Sequence, residues 1–285
     1  MTRRAATGWC RVLANPHAVR RGSPGGGLAR APTFGLTLCA PDRDNRRSPA
    51  AHPPVSTSDC LVVIPAYNEG ASVAAVVAGA RALPGATVLV ISDASDDDTV
   101  ATALAAGATV LELPARLGAW GAIQTGLRYA RRHGYRQVLT LDADGQHPTD
   151  ALPGLRAALA QDDVVIGTCP ARLSLARRVA WSYFRFLTGL KVVDVTSGLR
   201  AYGPRAIDLL SRPEASLLDY QDIGVLLLLS GQGLSIHELP VAMRKRENGH
   251  SRVFSSWFSV ARYMIHTTVL CLAQIRRRLP EEAQA

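Results

Sequence analysis

The feature that most constrains this chain begins at residue 61. Leu61-Val62-Val63-Ile64 is a short β-branched run ended by Pro65, and Thr87-Val88-Leu89-Val90-Ile91 is a second. Between them, residues 70–82 are rich in Ala and Val and stop at Pro84-Gly85, which reads as a helix. Helices at about 96–106, 118–133 and 149–160, with strands at 108–112 and 137–141, carry the alternation on to Val164-Val165-Ile166. Strand–helix alternation at this spacing predicts a Rossmann-like α/β unit, a parallel sheet with helices on both faces. Apolar residues make up 47% of the chain and charged ones 19%, which excludes a fully disordered polymer, a collagen-like repeat and a small disulfide scaffold.

Ligands of such sheets bind beyond the carboxyl ends of the strands. Those ends are Pro65-Ala66-Tyr67-Asn68-Glu69, then Ser92-Asp93-Ala94-Ser95-Asp96-Asp97-Asp98, then Asp142-Ala143-Asp144-Gly145-Gln146-His147. An acidic rim repels phosphate unless a divalent cation bridges the two, so the expected ligand is a metal–nucleotide complex.

The net charge of +9 suggests nucleic acid until it is located. Residues 1–58 carry nine Arg against Asp42 and Asp44, a net of +7, and the remaining 227 residues are nearly neutral. That first segment mixes Arg, Pro, Gly and Ser without helical or strand periodicity and is expected to be a disordered extension. It lacks the apolar run of a secretory signal, and the five cysteines form no C-x-x-C pair, so a reducing cytosol is expected and nucleic acid is not.

Beyond residue 170 the pattern loosens. Residues 171–190 interleave Arg with aromatics at helical spacing, 196–202 read as a turn and strand, 220–230 as an apolar helix and 234–239 as a strand. A cationic loop spans 244–252. Residues 253–275 read as an amphipathic helix, interrupted by Arg262 and His266 and so unsuited to span a membrane, but suited to lie on one or pack on a partner.

Taken in order, Val63-Ile64-Pro65-Ala66-Tyr67-Asn68-Glu69, Ser92-Asp93-Ala94-Ser95-x-Asp97-x-Thr99, Leu117-Gly118-x-x-Gly121-Ala122-x-x-x-Gly126 and Asp142-x-Asp144-x-Gln146-His147 resemble glycosyltransferase family 2. Ser197-Gly198-Leu199-Arg200, Glu238-Leu239-Pro240-Val241 and Arg246-x-x-Gly249-x-Ser251 are similar to its dolichyl-phosphate mannose synthase-like, polyprenyl-phosphate branch. The resemblance runs from about residue 60 to 252. It implies a GT-A fold over residues 59–252, with a mixed, mainly parallel sheet, followed by the amphipathic helix and tail of 253–285.

The resemblance also implies roles. Pro65, Ala66, Tyr67, Glu69, Asp93, Gly118 and Asp142 would line the nucleotide sugar, and Asp144 with Gln146 would hold Mg²⁺ or Mn²⁺. Asp144 and the metal would act in catalysis with Arg200 and Arg246, which would grip phosphates together with Arg244, since a guanidinium fork matches phosphate oxygens. Asp222, beside Asp219, stands where many relatives place a general base. Each has a plainer reading: Asp142-x-Asp144 as a solvated turn before Pro148, Asn68-Glu69 as a helix cap, Arg244 as a solvated loop residue, and Asp222 as helix surface charge. Ser92, Arg116 and Cys169 depart from the family pattern.

The implied activity is a metal-dependent, inverting transfer of a hexose from a nucleotide-sugar donor to a polyprenyl-phosphate-type lipid. The enzyme would be cytoplasmic and peripheral on the inner face of the cell membrane, or held by a membrane subunit. The alternatives are a family 2 enzyme acting on a soluble or glycan hydroxyl and a non-catalytic nucleotide-sugar-binding module.

Overall fold

The computed structural model describes residues 11–13, 59–169, 175–218, 222–242 and 268. Its strands are β1 (Arg11–Leu13), β2 (Cys60–Ala66), β3 (Ala86–Ser92), β4 (Thr109–Glu112), β5 (Gln137–Thr140), β6 (Val164–Thr168), β7 (Arg200–Tyr202) and β8 (Ile236–Pro240). They form one mixed sheet in the order β1–β4–β3–β2–β5–β7–β6–β8. The block β4–β3–β2–β5 is parallel, β7 runs antiparallel to β5 and β6, and β8 is parallel to β6. The α/β class and the mixed, mainly parallel sheet agree with the pattern of the sequence.

Alternation along each strand supplies two cores. Leu61, Val63, Leu89 and Ile91 point into one. Cys60, Val62, Ile64, Val88 and Val90 point into the other. Helices α1 (Val73–Arg81), α2 (Thr99–Ala105) and α4 (Leu152–Ala158) cover the second core. Helices α3 (Gly118–Arg132), α5 (Leu175–Thr188), α6 (Pro204–Leu210) and α7 (Ile223–Gly231) cover the first. Helix α3 buries Trp120, Ile123, Leu127 and Ala130 at helical spacing and places Arg131 and Arg132 in its last turn, where cations meet the negative end of the dipole. Its Trp120 Nε1 donates to the Ala215 carbonyl at 2.9 Å, and its buried Gln124 donates to the Leu210 carbonyl at 3.1 Å.

The helices start later than their composition predicts. Residues 70–72 form a turn in which the Glu69 carbonyl accepts from the amides of Ser72 and Val73, and α1 begins only at Val73. Residues 95–98 are likewise held by contacts between loops, so α2 begins at Thr99. One strand lies inside the segment expected to be disordered: Arg11–Leu13 pairs antiparallel with β4, Arg11 opposite Glu112. Three residues are too few to show a period, and the free main-chain edge of β4 supplies the pairing. The cationic loop of 244–252 and the amphipathic helix of 253–275 lie outside the described residues, Thr268 excepted.

Strand order reverses direction between β2 and β5, from which β3 and β4 extend to one side and β7 to the other. Such a switch point opens a crevice at the carboxyl ends of its two central strands. The loops that follow β2, β3 and β5 all reach that rim.

Candidate active site

Two of these loops are laced together. The Asn68 amide of the first loop donates to Ser95 Oγ (3.2 Å), the Glu69 amide to Thr99 Oγ1 (2.9 Å) and the Gly70 amide to Asp97 Oδ2 (3.1 Å). Asn68 Nδ2 donates to Asp96 Oδ1 at 2.5 Å, while Asn68 Oδ1 accepts from the Asp96 amide at 3.1 Å. Burial raises the Asp97 carboxyl, but bonds from the Thr99 hydroxyl and amide and the Gly70 amide outweigh it and hold it below the ordinary range. Two residues adopt the left-handed backbone here, Asn68 at φ 53° and Ala94 at φ 56°. Glu69 Oε2 accepts from Ser72 Oγ at 3.1 Å, which ties the carboxylate to the first turn before α1. Pro65 and Ala66 end β2 beside this loop, the Ala66 carbonyl accepting from the Asp93 amide at 2.8 Å.

Asp93 faces the loop after β4. It is 3% exposed, and its two oxygens accept from the amides of Leu117 (2.6 Å) and Gly118 (2.9 Å). Gly118 sits at φ 78°, a left-handed conformation that glycine adopts without strain. Asp93 thus fixes the start of α3 through its main chain. Arg116, one residue ahead of this clamp, lies with Cζ 3.8 Å from the centroid of the Tyr67 ring, a cation–π contact across the first loop.

The loop after β5 carries the paired carboxylates. Asp144 Oδ1 accepts from the Gln146 amide at 3.0 Å and Oδ2 accepts from Gln146 Nε2, so these two residues are brought together. His147 is buried, and its Nδ1 accepts from the Asp142 amide at 3.1 Å, which holds the two ends of the loop in register. The Asp142 side chain is 45% exposed. On its protein side it rests on Gly198, where an added Cβ would lie 2.5 Å from Oδ1 and 2.8 Å from Oδ2. Among the described residues no three His, Cys, Asp or Glu side chains gather as a metal cage. The loop nevertheless suits Mg²⁺ or Mn²⁺. Its donors are hard carboxylate and amide oxygens, and a cation held by few protein ligands takes its remaining positions from phosphate and water.

Arg200 departs from its expected role. It is fully buried, its Nε donates to the Ser197 carbonyl at 2.9 Å, and its Nη2 donates to the Val195 carbonyl at 2.7 Å. Nη1 is buried without a hydrogen-bond partner. A guanidinium with no exposed surface offers no face to a phosphate, so the grip expected from its chemistry is replaced here by a brace on its own turn. Glu238 has a matching place: its two oxygens accept from the amides of Val193 and Asp194, each at 2.9 Å. Neither Glu238 nor His147 stood out as a functional candidate in the sequence.

Asp222 is the residue before α7, an element that does not carry the other carboxylates. Arg244, Arg246 and Asp219 lie outside the described residues. Cys169 is half-buried at the end of β6. Cys60 is buried in β2, and burial pushes its thiol up to about 11 against the opposing charge of Arg156, which suits a packing residue rather than a nucleophile.

Residues 61–203 match the family model for glycosyl transferase family 2. The chain belongs to that family. It is 33% identical over 214 residues to an undecaprenyl-phosphate mannosyltransferase of Micrococcus luteus, a match covering 68% of this chain and 86% of that protein. It is 30% identical over 219 residues to a polyprenol monophosphomannose synthase of Mycolicibacterium smegmatis, covering 70% and 83%. Among solved structures it resembles the glucosyl-3-phosphoglycerate synthase of Mycobacterium tuberculosis in complex with Mn²⁺, uridine diphosphate and phosphoglyceric acid. That likeness has a TM-score of 0.59 at 21% identity over 75% of this chain and 78% of the other. At that identity the likeness establishes the GT-A fold. This family 2 chain is a glycosyltransferase.

Proposed function

We propose that this family 2 enzyme transfers a hexose, with mannose the first to test, from a nucleotide sugar to a polyprenyl-phosphate acceptor, with inversion and with Mg²⁺ or Mn²⁺. The observation that carries the reading is the loop of Asp142, Asp144 and Gln146 at the switch point, open to solvent and backed by Gly198. Relatives that act on undecaprenyl phosphate and polyprenol supply the acceptor class.

Asp144 and Gln146 would hold the divalent ion, which would supply positive charge beside the nucleoside diphosphate leaving group. Asp142 faces the nucleotide. Tyr67 and Arg116 form one wall of the donor cleft, and Asp93 fixes the start of α3 by accepting from the amides of Leu117 and Gly118. The acceptor phosphate oxygen attacks the anomeric carbon from the face opposite the leaving group, so a new C–O bond forms as the bond to the diphosphate breaks. A phosphate is already an anionic nucleophile, and the proposed reaction gives Asp222 no proton to remove. Arg246 of the cationic loop balances the acceptor charge.

No helix among the described residues is long and apolar enough to cross a membrane. Helix α5 buries Trp181 and Phe184 and turns Tyr183 and Phe186 outward, Phe186 91% exposed, which suits contact with the inner face of the cell membrane or a membrane subunit.

The test is to incubate enzyme and membranes with a panel of labelled nucleotide sugars, with and without Mg²⁺ or Mn²⁺. Metal-dependent label in the lipid phase from one donor is expected. Equal transfer to a water-soluble acceptor after the lipid is extracted would overturn the acceptor assignment.

A further inference from the structure

We propose that residues 193–198 form a rigid template that sets the position of the Asp142 carboxylate, and that Glu238 and Arg200 are positioning residues acting through it. The inference rests on the donor-site reading above and adds residues to it. The segment belongs to no helix or strand, yet side chains and main chain from four strands hold it. Glu238 of β8 accepts from the amides of Val193 and Asp194. Asp194 Oδ1 accepts from the Thr196 amide at 3.2 Å and hydroxyl at 3.0 Å. Arg200 of β7 spans the carbonyls of Val195 and Ser197. Ser197 Oγ donates to the Gly167 carbonyl of β6 at 2.5 Å, and Thr140 Oγ1 of β5 donates to the Gly198 carbonyl at 2.8 Å.

All six residues are therefore tied, and the last is the one on which Asp142 rests. A Cβ at residue 198 would stand 2.5 Å from Oδ1, 2.8 Å from Oδ2 and 2.9 Å from Cγ of Asp142, all inside contact distance. His147 Nδ1 stands 3.5 Å from Oδ2. The carboxylate lies in a slot whose back wall is the main chain of the template. Arg200 explains itself in the same way. A fully buried guanidinium with an unpartnered Nη1 is a poor choice for stability alone. A planar fork that reaches two carbonyls at once fixes a turn in a way that Lys, with a single point of donors, does not.

The test measures Mn²⁺-dependent binding of the four common nucleoside diphosphates by calorimetry, with thermal unfolding as a check on folding and donor and acceptor KM as kinetic readouts. Gly198→Ala is expected to weaken binding of the preferred diphosphate at least tenfold while the protein remains folded. In an Asp142→Ala background the same change is expected to alter binding less than twofold, because its effect passes through the carboxylate. Glu238→Gln is expected to weaken binding about threefold to tenfold, and this loss too should shrink in the Asp142→Ala background. An equal loss from Gly198→Ala in both backgrounds, or wild-type binding in that variant, overturns the template. Arg200→Lys that raises only the acceptor KM and leaves diphosphate binding intact also overturns it, by returning Arg200 to an acceptor phosphate. Diphosphate binding without sugar transfer to lipid in the wild type defeats the proposed function alone, and absence of binding to any diphosphate defeats both.

Discussion

The two halves of the sheet build their share of the site by different means. In the parallel half, loops after β2, β3, β4 and β5 carry their own polar residues to the rim, and the first three hold one another there: Asn68 to Asp96, Gly70 to Asp97, Asp93 to the amides of Leu117 and Gly118. In the antiparallel half, Glu238 and Arg200 point at main-chain groups of residues 193–197, and Gly198 meets the rim at Asp142. The same residue type then does opposite work. Arg116 stacks on Tyr67 at an exposed edge, whereas Arg200 is sealed in the sheet. The first half presents chemistry, and the second presents shape.

The largest effect should come from the presenting half. Asp144→Ala removes the carboxylate that accepts from the Gln146 amide and side chain in the loop after β5. The expected outcome is a loss on the order of 10²–10³-fold in kcat, typical of removing one group that stabilises developing charge, with an unchanged unfolding midpoint. Steady-state kinetics beside thermal unfolding measure both. Transfer that stays within tenfold of wild type would break the assignment of this loop.

The two arginines give the next contrast. Arg200→Met strands the carbonyls of Val195 and Ser197 in the interior, and each buried unpaired group costs about 1–3 kcal/mol. A loss of roughly 2–4 kcal/mol in urea unfolding is expected. Arg116→Ala removes an exposed stacking contact worth about 0.5–1 kcal/mol, so its main consequence should be a raised donor KM. If Arg200→Met unfolds with the wild-type midpoint, the brace is not a brace.

What the sequence disclosed follows the same division. Residues 61–168 announce their strands because a strand buried on both faces must be apolar throughout, and their site loops because polar residues cluster where those runs stop. The helices α1 and α2 begin later than composition suggests because Asn68, Gly70 and Asp96 bond between loops, and contacts between distant residues leave no local period. Arg200 was legible as an anion binder because a guanidinium suits phosphate, but it suits carbonyls as well. Gly198 was legible as part of a motif, while the reason for it, the carboxylate of a residue 56 positions earlier, was not.

The smallest effects concern two residues with one backbone conformation. Ala94 and Asn68 both lie in the left-handed region, at φ 56° and 53°. For an L-residue with a Cβ that conformation costs roughly 1–2 kcal/mol, and glycine avoids it at the expense of about 0.4–1 kcal/mol of extra entropy in the unfolded chain. Ala94→Gly is therefore expected to stabilise the protein by about 0.5–1 kcal/mol, a rise of about 2–3 °C in Tm for a domain of this size. Asn68→Gly relieves less, since Asn tolerates the conformation, and it removes the two bonds to Asp96, each worth about 0.5–1.5 kcal/mol. It should lower Tm. Differential scanning calorimetry on the two variants decides the matter by the sign of each shift. Opposite signs would show that the Asn68 side chain stabilises its loop by more than its backbone conformation costs, whereas the Ala94 methyl group does not. A fall in both would mean that Ala94 makes contacts through its methyl group that outweigh its strain.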